Sequence, residues 1–282
     1  MFLPKDKNIG GLVRRVRGSS SASVSIWKKG SGDEREKLLR LVFSNHTKDT
    51  LRWVNGWQDE TIGKAVYIPV KEMLANAPNF LALYEKFQLH FEAVYADIIH
   101  YANLPTLKGP IDEKRKKLLE IIQENIDGKV LQKKEMFYLK NRKGELEFTL
   151  LAEGMRKLGL LWLLINNGTL LSGSILCWDE PETNLNPKLM RTVVSVLLEL
   201  QRMGVQLFIS THDYVILKEI YLQMNKTDMV SYHSLYKQKN DDDSIAVHTA
   251  TNYLEIHPNS ISDTFSDLYD RDVSRGMGGV GK

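Results

Sequence analysis

The sequence predicts an α/β fold, a mostly parallel sheet flanked by helices, with a helical insertion. Three observations predict it. From residue 153 onward, apolar runs of strand length alternate with longer runs of helical periodicity. Two of the short runs, SILCW (174–178) and VQLFIS (205–210), are apolar almost throughout, as strands covered on both faces are. Residues 78–128, by contrast, carry helical spacing and no strand pattern.

The elements follow in order. GLVRRVRG (11–18) and ASVSIWKK (22–29) are β-prone runs separated by a Gly-Ser turn. KLLRLVFSN (37–45) and KAVYIP (64–69) come next, the latter stopped by Pro69. After Pro78, residues Phe80, Leu83, Tyr84, Phe87, Phe91, Val94, Tyr95, Ile98 and Ile99 fall at three- and four-residue spacing, predicting one amphipathic helix ended by Pro105. IDEKRKKLLEIIQENIDG (111–128) predicts a second helix with a glycine stop. KEMFYL (134–139) and ELEFTL (145–150) flank a turn at 141–144, the pattern of a hairpin. Helices are expected at 154–167, 188–203 and 214–224, around the strands 174–178 and 205–210. The chain closes with a strand at 229–237, an acidic turn at 240–243, a strand at 245–250 and a short helix near 260–273. The expected division is a β part at 1–69, a helical insertion at 70–128, the main core at 129–275 and a glycine-rich tail at 276–282.

Composition narrows the classes. The 282 residues, 43% of them hydrophobic, suffice for one large domain or a core with one inserted subdomain. A net charge of +3 argues by itself for neither nucleic acid nor membrane. Two basic clusters, Arg14, Arg15 and Arg17 and then Lys114, Arg115, Lys116 and Lys117, read as solvated faces or as phosphate contacts. The single Cys177 lies in an apolar run, which excludes a disulfide framework and fits a reducing cytoplasm. No apolar stretch of about 20 residues that could span a bilayer and no signal peptide are found, so no membrane role is expected.

The chemistry concentrates in ILCWDEPETNLNP (175–187) and LFISTHD (207–213). An apolar strand there ends in adjacent carboxylates, Asp179 and Glu180, and the next strand ends about 30 residues on at His212. Buried parallel strands deliver polar side chains to their carboxyl ends, where ligands of open α/β sheets sit. Asp179 can hold Mg²⁺ through water, Glu180 can orient or deprotonate an attacking water, and His212 can reach a γ-phosphate. Taken singly, an acidic strand end or a lone histidine has an equally good structural reading; the combination points to nucleotide hydrolysis.

These residues resemble the ATP-binding-cassette and SMC-type ATPases, and more closely the bacterial ATP-binding proteins with an AAA-type core, OLD-like, whose fold is that of the P-loop NTPases. The resemblance covers most of the chain and is strongest over 151–217. It implies that residues 175–180 are the Walker B motif, with metal ligand Asp179 and catalytic Glu180, that 182–187 with Asn184 is the D-loop, and that His212 is the switch histidine. LLAEGMRKLG (150–159) is similar to the signature motif, which contacts the nucleotide of an opposite subunit. The signature serine falls on Ala152 and a glycine on Glu153, while Gly154 keeps its place; contact would rest on backbone N–H groups and on Arg156 or Lys157. The segment 67–74 sits at the Q-loop position without a glutamine. The resemblance further implies ATP and Mg²⁺ as ligands, a homodimer or a heterodimer with an ATPase of the same family, and a nuclease or toxin effector in defence against phage.

The phosphate loop GxxxxGK followed by Ser or Thr has no match within residues 1–270. The chain is therefore expected to begin inside the family's fold, without its opening strands and P-loop helix, and to leave an apolar strand unpaired and dependent on a partner. Residues 276–282 satisfy GxxxxGK in letters, but no Ser or Thr and no helix follow the lysine, so a flexible glycine tail is the reading adopted. Three functions stay open: the ATPase, expected to be weak or inactive in this chain alone for want of the phosphate loop; a non-catalytic scaffold or regulatory subunit paired with a complete ATPase; and a nucleic-acid or effector-binding module built on the basic segments.

Overall fold

The computed structural model describes residues 9–13, 20–29, 35–48, 52–53, 64–87, 89–238 and 244–277. The basic triplet at 14, 15 and 17, the acidic turn 240–243 and the end of the glycine tail lie outside them. The chain divides into two units, one holding residues up to 63 together with 82–96, the other holding 64–81 and 97–282.

The first unit is built on an antiparallel sheet, β1 (Ser21–Lys29), β2 (Arg35–Ser44) and β3 (Arg52–Trp53), in that order. The strand expected at 11–18 is not formed where the residues are described: Ile9–Leu12 is a 3₁₀ turn. Gly10 explains this, because its N–H donates to the Thr47 carbonyl at 2.7 Å and a Cβ there would come within 2.4 Å of the Asn45 carbonyl oxygen.

The second unit runs β4 (Ala65–Ile68), α1 (Phe80–Phe87), α2 (Ala93–Ala102), α3 (Glu113–Ile126), β5 (Lys129–Lys133), β6 (Met136–Asn141), β7 (Gly144–Glu147), α4 (Glu153–Asn166), β8 (Ile175–Asp179), α5 (Pro187–Arg202), β9 (Gln206–Ser210), α6 (Tyr214–Gln223), β10 (Tyr232–Lys237), β11 (Ile245–Ala250) and α7 (Ser260–Gly276); α1 and α2 each have one end in the first unit. The single helix expected over 80–99 is two, Phe80–Phe87 and Ala93–Ala102, with residues 89–92 in neither. Phe87 and Phe91 beside the break are exposed, so the apolar stripe is not buried continuously.

The sheet that positions the site is parallel, in the order β4-β8-β9. β8 lies at its centre, with Leu176 and Trp178 buried. The expectation of an unpaired apolar strand shifts accordingly: β8 is bonded along both edges, and among the described residues β4 and β9 are the edge strands, with Phe208 of β9 exposed. The β5-β6-β7 and β10-β11 sheets are antiparallel. β5 was not expected. KVLQK has two apolar residues and takes its conformation from pairing with β6 rather than from its own pattern.

Helices α4 and α5 supply a large share of the core. Leu158, Leu161, Leu164 and Ile165 of α4 and Val193, Val194, Val196 and Leu200 of α5 are fully buried. The sequence NLNP starts α5: Asn186 caps it by accepting from the Lys188 N–H at 3.0 Å, and Pro187 occupies the first turn, where its missing N–H costs nothing. In α3, Asp112 caps the start, and the turn at the end is made by Asp127 in the left-handed region (φ +52°) rather than by the glycine that follows it. The basic cluster in α3 is not simply a solvated face. Arg115 is buried and donates to the Ile165 and Asn166 carbonyls at 3.0 and 2.6 Å, satisfying the carboxyl end of α4.

Candidate active site

Register puts the candidate carboxylates and the histidine at one end of the parallel sheet. Asp179 is the last residue of β8 and pairs with Ser210, the last of β9. Both Asp179 oxygens are engaged: the Ser210 hydroxyl donates to Oδ1 and the Tyr67 hydroxyl, from β4, donates to Oδ2 at 3.2 Å. Three adjacent strands thus fix one carboxylate.

Glu180 leaves the strand in the left-handed region, φ +44°, a conformation a glutamate adopts only when its surroundings impose it, at a cost of order 1–3 kcal/mol. The constraints are visible. Its N–H donates to the Ser210 carbonyl at 3.0 Å, and its carbonyl accepts from the Thr183 N–H at 3.1 Å. The side chain is held at both oxygens: Thr183 Oγ1 donates to Oε2 at 3.0 Å, and His212 Nδ1 stands 3.2 Å from Oε1. With Nδ1 turned to the carboxylate, Nε2 is the ring nitrogen left for a ligand. The His212 side chain is 74% exposed and the Glu180 side chain 34%, so both reach solvent.

Behind this pair lies a buried polar layer that sequence reasoning missed. Glu182 is buried and its Oε1 accepts from the Thr211 hydroxyl at 2.7 Å and from the His212 N–H at 3.3 Å. Lys157, on α4, is 1% exposed and donates to the Thr183 carbonyl at 2.6 Å. Burial pushes its ammonium below the usual lysine range, against the opposing pull of Glu153, Glu182, Glu72 and Glu180. Glu182 sits in a Pro-Glu-Thr-Asn turn that reads as solvent-facing; only the end of β9 folding over it brings it inside. Thr211, adjacent to His212, was the one signal in the sequence for a second hydroxyl contact.

The start of α4 is arranged differently. Ala152 is the capping residue and has no side chain able to cap. Gly154 is needed for close approach, since a Cβ there would lie 2.8 Å from Leu185 Cδ1. Asn184, left-handed at φ +58°, donates through Nδ2 to Glu153 Oε2 at 3.0 Å. Arg156 turns inward: Nε is 2.6 Å from Glu72 Oε2, and one terminal nitrogen donates to the Leu151 and Phe148 carbonyls at 2.7 and 3.3 Å. Burial raises the Glu72 carboxyl above its ordinary range, although the Leu74 N–H and the Arg156 charge pull it down.

So the structure brings Asp179, Glu180 and His212 together, sets Asn184 and Gly154 against each other across the turn, and commits Arg156 and Lys157 to the interior. No group of three or more His, Cys, Asp or Glu side chains among the described residues forms a metal cage. A single carboxylate flanked by hydroxyls suits Mg²⁺, which keeps most of its waters and takes phosphate oxygens as further ligands.

A parallel sheet flanked by helices, with polar residues at its carboxyl end, is an α/β layout that holds ligands at that end. By its sequence the chain belongs to the family described as "AAA domain, putative AbiEii toxin, Type IV TA system", which matches residues 31–218. Among solved structures, an Smc head bound to the C-terminal winged-helix domain of ScpA aligns over 86% of this chain and 79% of its own, at 10% identity and a TM-score of 0.51. The SMC head of Thermotoga maritima aligns over 84% and 77% at 11% identity and a TM-score of 0.45. A Pyrococcus furiosus Smc head, with an extended coiled coil, covers 94% and 84% at 10% identity and 0.47. No curated protein matches by sequence. Among the described residues no helix is long and apolar enough to cross a membrane.

Proposed function

We propose that this chain binds and hydrolyses ATP as an ABC/SMC-type ATPase, with nucleotide held between two such units. The observation that carries the reading is the Glu180–His212 contact at 3.2 Å beside Asp179, made by residues from two adjacent strands. Asp179 is the residue that would hold Mg²⁺, which supplies charge neutralisation along the phosphates when bound. Glu180, clamped by Thr183 and His212, orients the attacking water and accepts its proton. His212, exposed and tethered through Nδ1, is free at Nε2 to meet the terminal phosphate. The start of α4, with its amino-terminal amides, faces the nucleotide of the opposite unit.

The test is the Glu180→Gln protein with MgATP. Loss of hydrolysis and accumulation of a dimer are expected; a variant that stays monomeric at saturating nucleotide would remove support for the interface. A second reading, a non-catalytic scaffold paired with a complete ATPase, is favoured by one observation. The α4 start presents Ala152 and the Glu153 carboxylate where an anion would be bound. In that case Asp179→Ala leaves the activity of the pair unchanged. The family description names a toxin of a toxin–antitoxin system. A cytoplasmic toxin or nuclease effector, and nucleic acid reached through the basic segments, are the partners we propose on that basis.

A further inference from the structure

Glu182 takes no part in the roles assigned above, and the role argued for it here rests on the ATPase reading. It is the second carboxylate of the turn, two residues after the proposed base, and it is 7% exposed. Its Oε1 collects two donors from the end of β9, the Thr211 hydroxyl and the His212 N–H. The Thr211 hydroxyl in turn accepts from the Asp213 N–H at 3.0 Å, and Asp213 caps α6 through the Ile216 N–H. One carboxylate oxygen therefore fixes the backbone on which the histidine stands and the helix that follows it.

The imidazole lies between two carboxylates. His212 Nδ1 is 3.2 Å from Glu180 Oε1 and 3.9 Å from Glu182 Oε1. Glu180 lies against the ring and Glu182 bonds the backbone, so removal of Glu182 frees the ring to leave Glu180 without touching either partner. The second oxygen, Oε2, is buried with no hydrogen-bond partner among the described residues. Glu182 is also one of the carboxylates that act on the buried Lys157 ammonium, and Lys157 holds the same turn through the Thr183 carbonyl. A half-satisfied buried carboxylate is expensive, and an apolar side chain would fill the same volume at less cost. Its retention is accounted for by what it positions.

We propose that Glu182 is the positioning residue of His212, holding the switch loop so that the imidazole stays on Glu180. It touches no reacting atom and acts through the histidine alone. Three variants of the full chain test this: Glu182→Ala, Glu182→Gln and Glu182→Ala combined with His212→Ala. The amide oxygen of glutamine can accept both bonds, so Glu182→Gln is expected to retain most of the hydrolysis rate. Glu182→Ala is expected to lower kcat roughly ten- to a hundredfold with KM little changed, as small misplacements of a catalytic group do. In the His212→Ala background, Glu182→Ala is expected to add nothing. A full drop in that background, or a wild-type rate for Glu182→Ala, overturns the proposal.

A second measurement needs no ATP. In ¹⁵N-labelled protein the His212 ring Nδ1–H signal should persist in the wild type and in Glu182→Gln and vanish in Glu182→Ala, with thermal melts confirming that each variant is folded. A ring signal that survives in folded Glu182→Ala defeats the positioning role. If the wild type hydrolyses no ATP while the ring signals behave as expected, the ATPase reading fails and the positioning role stands.

Discussion

The carboxyl end of β8 and the amino end of α4 are both candidate nucleotide contacts, yet they are built in opposite senses. At β8 the chemically useful groups, Glu180 and His212, face outward, and the groups that hold them, Glu182, Thr211 and Ser210, come from the turn and the neighbouring strand. At α4 the chemically useful groups face inward. Arg156 is taken by Glu72 and two carbonyls, Lys157 by Thr183, and what remains toward solvent is Ala152 and Glu153. The contrast teaches that basic residues in a motif-like stretch are not thereby ligand contacts. A buried carboxylate such as Glu72 needs a cation more urgently than a solvated phosphate does.

The most disruptive way to break this comparison is Arg156→Ala. If Arg156 is a structural clamp, its removal strands the Glu72 carboxylate, whose side chain is wholly buried, and should destabilise the fold by about 3–5 kcal/mol. Chemical denaturation measures it. A loss below about 1 kcal/mol, the level of an exposed ion pair, would return Arg156 to the surface as a free ligand group.

Gly154→Ala tests the contact between the two regions and ranks next. The added methyl meets Leu185, which is itself buried, so overpacking should cost about 1–3 kcal/mol, partly offset by alanine's better helix propensity. Stability equal to or above the wild type would mean that the turn can yield, and that the glycine serves a ligand instead.

How much of this could be read from the sequence depends on what decided each residue's environment. β8, α4 and α5 were legible because burial follows their own apolar spacing; β9 was legible as an apolar run although none of its residues is buried. The α1–α2 break was not, since Phe87 and Phe91 keep helical spacing without being buried. β5 was missed because pairing with β6 decides it. Asp179, Glu180 and His212 were legible as strand-end polar residues, and Asn184 and Gly154 as a turn and a close approach. Glu182 and Lys157 were not, because their burial is produced by elements about 25 to 30 residues away folding over them.

Glu72 offers a pH-dependent version of the comparison. Its carboxyl is raised by burial above the ordinary 4.5, so the folded state binds a proton more readily than the unfolded one. Its contribution to stability is complete below the unfolded value and is lost as pH rises through the folded one. Glu72→Gln should remove that fall, flattening the acid side of the stability profile relative to the wild type. Parallel profiles for the two proteins would show that Arg156 compensates the charge fully.

The smallest effect on stability, and the sharpest on function, is expected from His212→Ala. The side chain is 74% exposed, and its contact with Glu180 is a solvent-facing pair, so unfolding free energy should change by no more than about 0.5 kcal/mol. Hydrolysis, by contrast, should fall steeply, because Glu180 loses the contact that orients one oxygen and the phosphate loses its nearest ring nitrogen. A variant that is both destabilised and active would invert the assignment: His212 would then belong with Arg156 as a structural group, and the β8 end would be no more open to a ligand than the start of α4.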